Sequence, residues 1–353
     1  MISTIHPRPV LALGASLLAG LLAVGPVAAQ DAEALPVPSI PETPVSLEFL
    51  YSPFTDYAPF FVAEDKGYFD AYGLDVTLAN KSGTAETIQL LATGQSQSGG
   101  STWGSSFFNS IDLGATVAVV AQLAKVPDDP AAKSPVPLIV SKARYDSGEL
   151  TEVADLAGTK VGIPGPGGFG EYSVHLALQN AGLSMDDIEQ VYLGPPDTLT
   201  ALETGGIDAG WTIEPFPTIW ADEVASISDD HARGVELGFV AFNNEWLEAN
   251  EEAAILFTAA YIKAARELDA GGFADPEIKD IISRYTELPI ETLDQIGKTV
   301  RSEDGSLDEA SIRDQEAYFR AAGQLEYEGD ADLDSVYRRD ILAAAKAFLE
   351  ANP

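Results

Sequence analysis

Five glycines lie within the segment VGIPGPGGFGEY, residues 161–172, and three of them have a spacing that could do chemistry. Gly165, Gly167 and Gly170 form the pattern G-x-G-x-x-G, which in dinucleotide-binding proteins lets the backbone approach a pyrophosphate at a helix amino terminus. A tight turn without a ligand also uses glycine, because glycine adopts positive φ at little steric cost. The pattern therefore indicates a cofactor site, a seat for another polar ligand, or a turn.

Two features around this loop argue against a dinucleotide. Such a site needs an acid at the end of the following strand to hold the ribose hydroxyls, but the strand predicted at residues 191–193 is followed by Gly-Pro-Pro. Pro166 also removes an N–H donor from the turn. We favour a ligand-binding loop over a plain turn, because the matching loop in the first half of the chain, YSPFTDY, is rich in aromatic residues.

No catalytic constellation competes with this loop. After residue 29 the histidines are His175 and His231, there is no cysteine, and the motifs H-E-x-x-H and G-x-S-x-G are absent. His175 follows an apolar residue on a predicted helix, which is typical of a surface or packing histidine. Pairs of acids are common in so acidic a chain, so they indicate neither glycoside hydrolysis nor a metal site. We therefore predict a protein that is not an enzyme and has no catalytic residues, cofactor or metal.

The first 29 residues are typical of a cleaved secretory signal. They contain Arg8 and no acid, then an apolar run over residues 10–24, then small residues at 27–29. A membrane anchor is the alternative, but the run is shorter than the roughly 20 apolar residues of a spanning helix. We expect cleavage near Ala29 and a periplasmic location. Residues 30–44 contain four prolines and are predicted to form an extended linker.

The charge limits the possible partners. The chain has 20 basic and 55 acidic residues, a net charge of −35, which argues against nucleic acid or an anionic membrane as a partner. The simplest interpretation of the acidity is a solvated surface. A hydrophobic content of 46% is sufficient for packed cores, and the length favours two domains.

An internal repeat supports this division. The segment ETIQLLATGQSQSGG, from Glu86, aligns with DTLTALETGGIDAGW, from Asp197, and each predicts a helix stopped by glycine and then a short strand. Chance similarity of two ordinary β-α units is the alternative. Strands that alternate with helices predict an α/β fold of two lobes, each a mainly parallel sheet flanked by helices, with a ligand cleft between the lobes. The mostly helical tail after about residue 239 is expected to pack on the first lobe.

Four segments in order resemble a known family. They are FFVAEDKGYFDAYGLDVTL, TIQLLATGQSQSGG, DLAGTKVGIPGPGGFGEYSVHLAL and TALETGGIDAGWTIEPF. Together they resemble the periplasmic solute-binding proteins for sulfonates, taurine and nitrate, which are related to thiamine-pyrimidine proteins. The most specific element is Gly205-x-x-Asp208-Ala209 followed by Glu214-Pro215, although Ile213 stands where an aromatic residue is usual.

The resemblance implies a type II periplasmic binding protein that closes on a small solute and delivers it to the membrane permease of an ABC transporter. Exchange with a permease favours a monomer. We expect lobe 1 to comprise residues 45–123 and 240–353 and lobe 2 residues 124–239. The hinge is expected near residues 119–123 and 238–242, where the chain crosses between the lobes.

The cleft should be lined by the loops at the carboxyl ends of the strands. These loops are rich in aromatic residues and contain four acids, Asp56, Glu171, Asp197 and Glu214, but a single basic residue, Lys81. The residues expected to bind the ligand are Tyr51, Phe54, Thr55, Tyr57, Ser82, Gly83, Thr84, Trp103, Gly104, Ser105, Gly165, Gly167, Gly168, Phe169, Gly170, Tyr172, Trp211 and Glu214.

The scarcity of basic residues favours one class of ligand. A flat, neutral or cationic nitrogen compound, such as a pyrimidine precursor of thiamine, can stack on an aromatic ring and bond to an acid. An aliphatic sulfonate, taurine or nitrate, held by backbone N–H groups, is the second hypothesis. An enzyme of the same fold that synthesises a pyrimidine is a remote third. Glu214 is expected either to contact the ligand or to cap a helix opened by Pro215.

Overall fold

The computed structural model describes residues 35–81 and 83–352, and its framework is two five-stranded sheets. The predicted signal, its cleavage near Ala29 and the candidate residue Ser82 lie outside the described residues. Within the described residues, no helix is both long and apolar enough to cross a membrane.

Sheet A contains the first four strands and one late strand, in the order β2-β1-β3-β10-β4. Strand β1 is parallel to β2 and β3, whereas β10 is antiparallel to both of its neighbours, β3 and β4. The strands of sheet A are β1 (Val45–Tyr51), β2 (Leu74–Asn80), β3 (Ser98–Thr102), β4 (Val117–Lys125) and β10 (Glu236–Asn243).

Sheet B has the same plan, in the order β7-β6-β8-β5-β9. Strand β6 is parallel to β7 and β8, and β5 is antiparallel to β8 and β9. Its strands are β5 (Leu138–Ser141), β6 (Lys160–Ile163), β7 (Glu189–Tyr192), β8 (Ala209–Trp211) and β9 (Val224–Ser228).

The predicted α/β class is confirmed, and the sheets are mixed because each contains one reversed strand. After strand β9 of sheet B, the chain returns to sheet A and forms strand β10. It therefore starts at the edge where β1, β3 and β4 end, and it must run in the opposite direction.

Helices flank both sheets. Those that connect strands of sheet A are α1 (Ala58–Asp65), α2 (Tyr68–Ala71), α3 (Thr84–Ala92) and α4 (Ser105–Asp112). Those that connect strands of sheet B are α5 (Lys142–Asp146), α6 (Phe169–Asn180), α7 (Thr198–Thr204) and α8 (Phe216–Ile219). The tail contains α9 (Asn244–Ala249), α10 (Glu251–Asp269), α11 (Pro276–Thr286), α12 (Ile290–Gln295), α13 (Glu309–Ala321) and α14 (Arg339–Ala351).

The tail packs on sheet A, as the sequence predicts. Helix α10 lies against α1, where Tyr261 stacks on Phe60 with ring centroids 4.7 Å apart, and α14 packs on α10 and β4. The tail also reaches the other sheet, because α12 contacts α8 and α13 contacts α6. The helical tail therefore joins the layers around both sheets.

The chain crosses between the sheets at residues 126–137, which lead from β4 to β5, and at residues 229–235, which lead from β9 to β10. A tail segment, residues 296–300, runs beside them. Val300 pairs with Lys125 through backbone hydrogen bonds of 2.8 and 3.0 Å, and a Cβ on Gly297 would lie 2.4 Å from the carbonyl oxygen of Ser134. Three backbone segments therefore lie side by side where the two sheets are connected: residues 126–137, 229–235 and 296–300.

The hinge positions expected near residues 119–123 and 238–242 lie inside strands β4 and β10 of sheet A, and they stay a prediction. The lobe boundaries expected at 123/124 and 239/240 fall within the same two strands. Every residue of β10, and every residue of β4 except Lys125, is buried. A strand buried on both faces shows no alternation of polar and apolar residues, so its end leaves no mark in the sequence.

Candidate ligand-binding cleft

The loops that follow β3 and β6 are in direct contact. The backbone N–H of Ser105 donates to the carbonyl oxygen of Gly167 at 2.8 Å. A Cβ on Gly104 would lie 2.6 Å from that same oxygen, and a Cβ on Gly167 would lie 2.1 Å from Oγ of Ser105. The carboxyl ends of strands from the two sheets therefore face each other, and at this point only glycine allows the approach.

The glycine-rich loop is organised by the first turn of the helix that follows it. Gly165 and Gly167 have positive φ values of 149° and 74°, and α6 begins at Phe169. The N–H of Gly167 donates to the carboxylate of Glu171, so one donor of the loop is already occupied. Gly170 permits a second close approach, since a Cβ there would lie 2.3 Å from the Pro164 ring. The loop thus combines the features of a tight turn with a position at the cleft.

Glu171 connects the helices around the two sheets. Its side chain is buried and accepts hydrogen bonds from the Tyr318 hydroxyl at 2.9 Å and from the Gln324 amide at 2.9 Å. Burial and the neighbouring Glu171 carboxylate raise the pKa of Tyr318, so its hydroxyl remains a donor. His175 stacks on the Tyr318 ring with centroids 4.3 Å apart, in keeping with the packing role expected for it.

Five buried polar atoms at the ends of β3 and β8 have no hydrogen-bond partner within the described part of the chain. A buried polar group without a partner is rare in folded proteins, and its desolvation costs about 1–3 kcal/mol. A ligand in the cleft would supply the partners for such groups. The atoms are Ser101 Oγ, Trp103 Nε1, Trp211 Nε1, Thr212 Oγ1 and Glu214 Oε2.

The two carboxylate oxygens of Glu214 differ. Oε1 accepts from the Thr218 hydroxyl at 2.9 Å and from the Gly297 N–H at 3.0 Å, and it pairs with Lys133 at 2.8 Å. Oε2 is one of the buried atoms without a partner in residues 35–81 and 83–352. The helix opened by Pro215 receives no side-chain cap from the residues described. Of the two roles expected for Glu214, the geometry therefore favours the ligand contact over the cap.

The candidate aromatic side chains on sheet A pack against other groups of the protein rather than lying exposed. Tyr57 is buried and donates from its hydroxyl to the Gly100 carbonyl at 3.0 Å, while Tyr51 packs edge-on against Phe61. Trp103 is 1% exposed, and its ring lies 4.6 Å from that of Phe239. Thr55 and Ser105 are also buried, whereas Phe54 and Gly104 are half-buried and Gly83 is exposed.

The candidates on sheet B form one group around Trp211. Phe169 lies edge-on to Trp211 with centroids 6.4 Å apart, and a Cβ on Gly170 would lie 3.3 Å from the same indole ring. Tyr172 turns away toward the tail, where its ring lies 5.6 Å from that of Tyr318. Gly165 and Gly168 are half-buried. Trp211 and Phe169 are thus positioned together, and Tyr172 belongs to the contact between α6 and α13.

The tail also brings one basic side chain to the loop that follows β1, and the strand-end loops do not reveal it. Arg301 has a side chain that is 1% exposed, and it donates to the backbone carbonyl of Asp56 at 2.8 Å. Thr299 donates to the Asp56 carboxyl at 2.8 Å, and burial raises the pKa of that carboxyl. Arg301 and Thr299 lie more than 240 residues along the chain from the loop they contact. No spacing in the sequence relates them.

Sequence comparison matches the chain to a protein family. A family model described as "NMT1/THI5 like" matches residues 54–268, more than half of the chain. The riboflavin-binding protein RibY of Chloroflexus aurantiacus is 30% identical over 175 residues, which are 48% of this chain and 46% of that protein. A putative binding protein of Brucella abortus is 28% identical over 170 residues, or 43% of this chain and 49% of that protein. The chain thus spans about half the length of the curated relatives it matches.

Solved structures share the fold at lower identity. The periplasmic aliphatic sulfonate-binding protein SsuA of Escherichia coli is 18% identical, with a TM-score of 0.64 over 83% of this chain and 92% of that one. The periplasmic nitrate-binding protein NrtA of Synechocystis is 17% identical, with a TM-score of 0.69 over 89% and 91% of the two chains. These likenesses confirm the predicted two-lobed fold of the periplasmic binding proteins.

Proposed function

The chain belongs to the NMT1/THI5-like family, and from this membership we propose that it is the solute-binding component of an ABC importer. In this role it closes its two lobes on a small solute in the periplasm and, as a monomer, presents it to a membrane permease. The observation that supports the proposal best is the set of buried polar atoms without partners at the ends of β3 and β8, beside the contact between Ser105 and Gly167.

We propose lobes that follow the two sheets. Lobe 1 then comprises residues 35–125 and 236–352, and lobe 2 comprises residues 126–235. Closure would bend the backbone at residues 126–137 and 229–235, with the tail segment 296–300 moving beside them. The contact of Gly167 with Ser105 belongs to the closed arrangement in this scheme, because it joins loops from opposite lobes.

The unpartnered atoms favour a ligand with both acceptors and donors. Trp103 Nε1 and Trp211 Nε1 can donate and cannot accept, whereas Glu214 Oε2 accepts from a neutral N–H or pairs with a cation. A flat nitrogen heterocycle with carbonyl or ring-nitrogen acceptors and an N–H group meets both requirements. Pyrimidines and the isoalloxazine ring of riboflavin have this chemistry. The name of the Chloroflexus relative points to the same class.

A sulfonate, taurine or nitrate is the second candidate. The named ligands of the two structural neighbours support it, as do the indole N–H donors. Against it stands Glu214, because its unpartnered Oε2 can only accept a hydrogen bond and a nitrate or sulfonate group has none to donate. We therefore rank the heterocycle first.

A binding role, rather than catalysis, suits the histidines. His231 lies between the hydroxyls of Ser173, at 2.9 Å, and Ser228, at 2.8 Å, an arrangement that superficially resembles a nucleophile and its base. Ser173 is fully buried, so its hydroxyl cannot meet a substrate. Burial lowers the pKa of His231 to about 4, which keeps the ring neutral at physiological pH. The cluster is best explained as packing within lobe 2.

Calorimetric titration of the purified protein tests the proposal. The panel contains riboflavin, an aminopyrimidine, taurine, an alkanesulfonate and nitrate. We expect a ring compound to bind and Glu214→Gln to weaken it by about tenfold or more, while Glu203→Gln, on the exposed face of α7, leaves it unchanged. Tight binding of a sulfonate that is indifferent to Glu214→Gln would overturn the ligand class, and binding of no small solute would overturn the role itself.

A further inference from the structure

A cavity of about 390 Å³ lies beside the outer edge of β4. Strand β4 is the last strand of sheet A, and the tail segment around residues 301–309 covers its open edge. The N–H of Gln122 donates to the Gly305 carbonyl at 2.8 Å, which holds this cover in place. Strand β10 separates β4 from β3, whose end carries Trp103. The cavity is lined by Gln122, Lys125, Arg301, Ser302, Ser306, Leu307, Asp308 and Glu309.

A buried guanidinium forms part of the cavity wall. The terminal nitrogens of Arg301 are engaged, one by the Asp56 carbonyl at 2.8 Å and the other by Asp269 at 3.5 Å. Its Nε is buried and has no hydrogen-bond partner among the residues described. A buried positive charge is costly unless an anion lies close to it, and 3.5 Å is a long contact for such a pair.

The other charged residues that line the cavity are compatible with a bound anion. Lys125 adds a second positive charge, and its ion-pair partner Asp128 is largely exposed. Asp308 accepts from the Ser311 N–H at 3.1 Å, and Glu309 pairs with Arg339 at 2.7 Å, so each acid already has a partner. The Nε–H of Arg301 is therefore the buried donor of this lining that has no partner among the described residues.

The buried carboxyl group of Glu236, next to the cavity, does not oppose the binding of an anion there. Glu236 bonds to the Gln122 amide and is fully buried. Burial raises the pKa of Glu236 to about 8, so its carboxyl is largely neutral at physiological pH. It therefore exerts little repulsion on an anion in the cavity.

We propose that this cavity binds a small oxyanion, a class that includes short carboxylates, sulfate and inorganic phosphate, independently of the solute in the cleft. The Nε–H of Arg301 and the ammonium of Lys125 are the donors that would hold it. A cavity of about this size is at the lower end of those that bind small molecules, which suits such a ligand.

Two variants test the cavity without removing Arg301, whose loss could unfold the loop at Asp56. Leu307→Trp fills the cavity, and Lys125→Gln removes one of its charges. Lys142→Gln is the matched control, because Lys142 is a half-exposed lysine paired with Asp146 on α5. The probes are acetate, sulfate and phosphate at constant ionic strength, read by calorimetry and by the melting temperature of the full protein, with chloride as a further probe.

We expect saturable binding of at least one oxyanion, weakened by about tenfold or more in Leu307→Trp and Lys125→Gln and unchanged in Lys142→Gln. Solute binding in the cleft should survive Leu307→Trp. The inference is overturned if no oxyanion binds saturably, if Leu307→Trp binds as well as the parent, or if chloride binds equally well. Failure of every cleft ligand would instead count against the proposed function and leave this site standing.

Discussion

The carboxylate of Glu171 on α6 accepts a hydrogen bond of 2.9 Å from the hydroxyl of Tyr318 on α13. The two residues are 147 positions apart, and one belongs to the helices around sheet B while the other belongs to the tail that packs on sheet A. This bond can exist only while the two layers are close together. In the proposed closure of the lobes, it therefore favours the closed arrangement over an open one.

Removing this hydroxyl should weaken ligand binding. A hydrogen bond to a charged group contributes about 1.5–3 kcal/mol, so we expect Tyr318→Phe to raise the Kd by about tenfold or more. Tyr192→Phe is the matched control, because the exposed Tyr192 hydroxyl bonds to neighbouring Gln190. Calorimetry measures the affinity, and small-angle scattering of the ligand-free protein measures the radius of gyration, which should increase in Tyr318→Phe alone. An unchanged Kd would show that the bond plays no part in closure.

Gly167 allows a test of the contact between the two loops. Gly167→Ala places a methyl group 2.1 Å from Oγ of Ser105, whereas Gly182→Ala, at a similar φ of 76°, meets nothing within 4 Å. Backbone strain should lower the melting temperature similarly in both variants. We expect the affinity for the ligand to fall in Gly167→Ala and to hold in Gly182→Ala. Equal affinities in the two variants would contradict a closed contact at this point.

The indole N–H groups can be removed while aromatic rings are kept. In Trp211→Phe the ligand loses a hydrogen-bond donor, so we expect its affinity to fall by about threefold to tenfold. Loss of a buried donor that has no partner among the described residues removes a desolvation cost. Removing this cost should therefore offset part of the decrease in melting temperature that the lost packing causes in the ligand-free protein. Trp246→Phe, at a ring stacked on Phe242 in sheet A, is the control and should leave the affinity unchanged.

Glu236 predicts a dependence of stability on pH. Its folded-state pKa of about 8 lies above the ordinary value of 4.5, because burial disfavours the charged carboxylate. The folded protein therefore holds a proton that the unfolded chain releases. The resulting stability is fully present below pH 4.5 and is lost as the pH rises through 8, at about 1.4 kcal/mol for each pKa unit of the difference.

Glu236→Gln keeps a neutral side chain at every pH. The difference in melting temperature between this variant and the parent should therefore grow in favour of the variant as the pH rises across that range. Glu350→Gln, on the exposed face of α14, controls for the loss of one acidic residue. A difference that is constant with pH would mean that Glu236 is ionised in the folded protein throughout.

Much of the fold was predictable because it repeats. The glycine stops at Gly94 and Gly205 have positive φ values of 67° and 71°, and each follows a helix and precedes a short strand, as the aligned segments predict. The loops after β3 and β6, which share a position in the two sheets, are also in contact. Local pattern is sufficient for such features because each depends on a few neighbouring residues.

The contacts that tail residues make with the cleft loops could not be predicted from local sequence patterns. Tyr318 and Gln324 lie on and just after an ordinary amphipathic helix, and nothing in its periodicity marks the two side chains that reach Glu171. Arg301 follows the short tail segment that runs beside Lys125 through the Val300 backbone. The strand-end loops therefore do not reveal the buried arginine that contacts Asp56, because long-range contacts are not encoded in local spacing.

The central position of β10 has a consequence for how the protein acquires its structure. Sheet B forms from one continuous stretch, residues 138–228, whereas sheet A lacks the strand between β3 and β4 until β10 has been synthesised. Until then β3 and β4 each have an unpaired edge, and such edges promote aggregation. As the chain emerges, the second sheet can therefore fold before the first, while β3 and β4 keep their open edges.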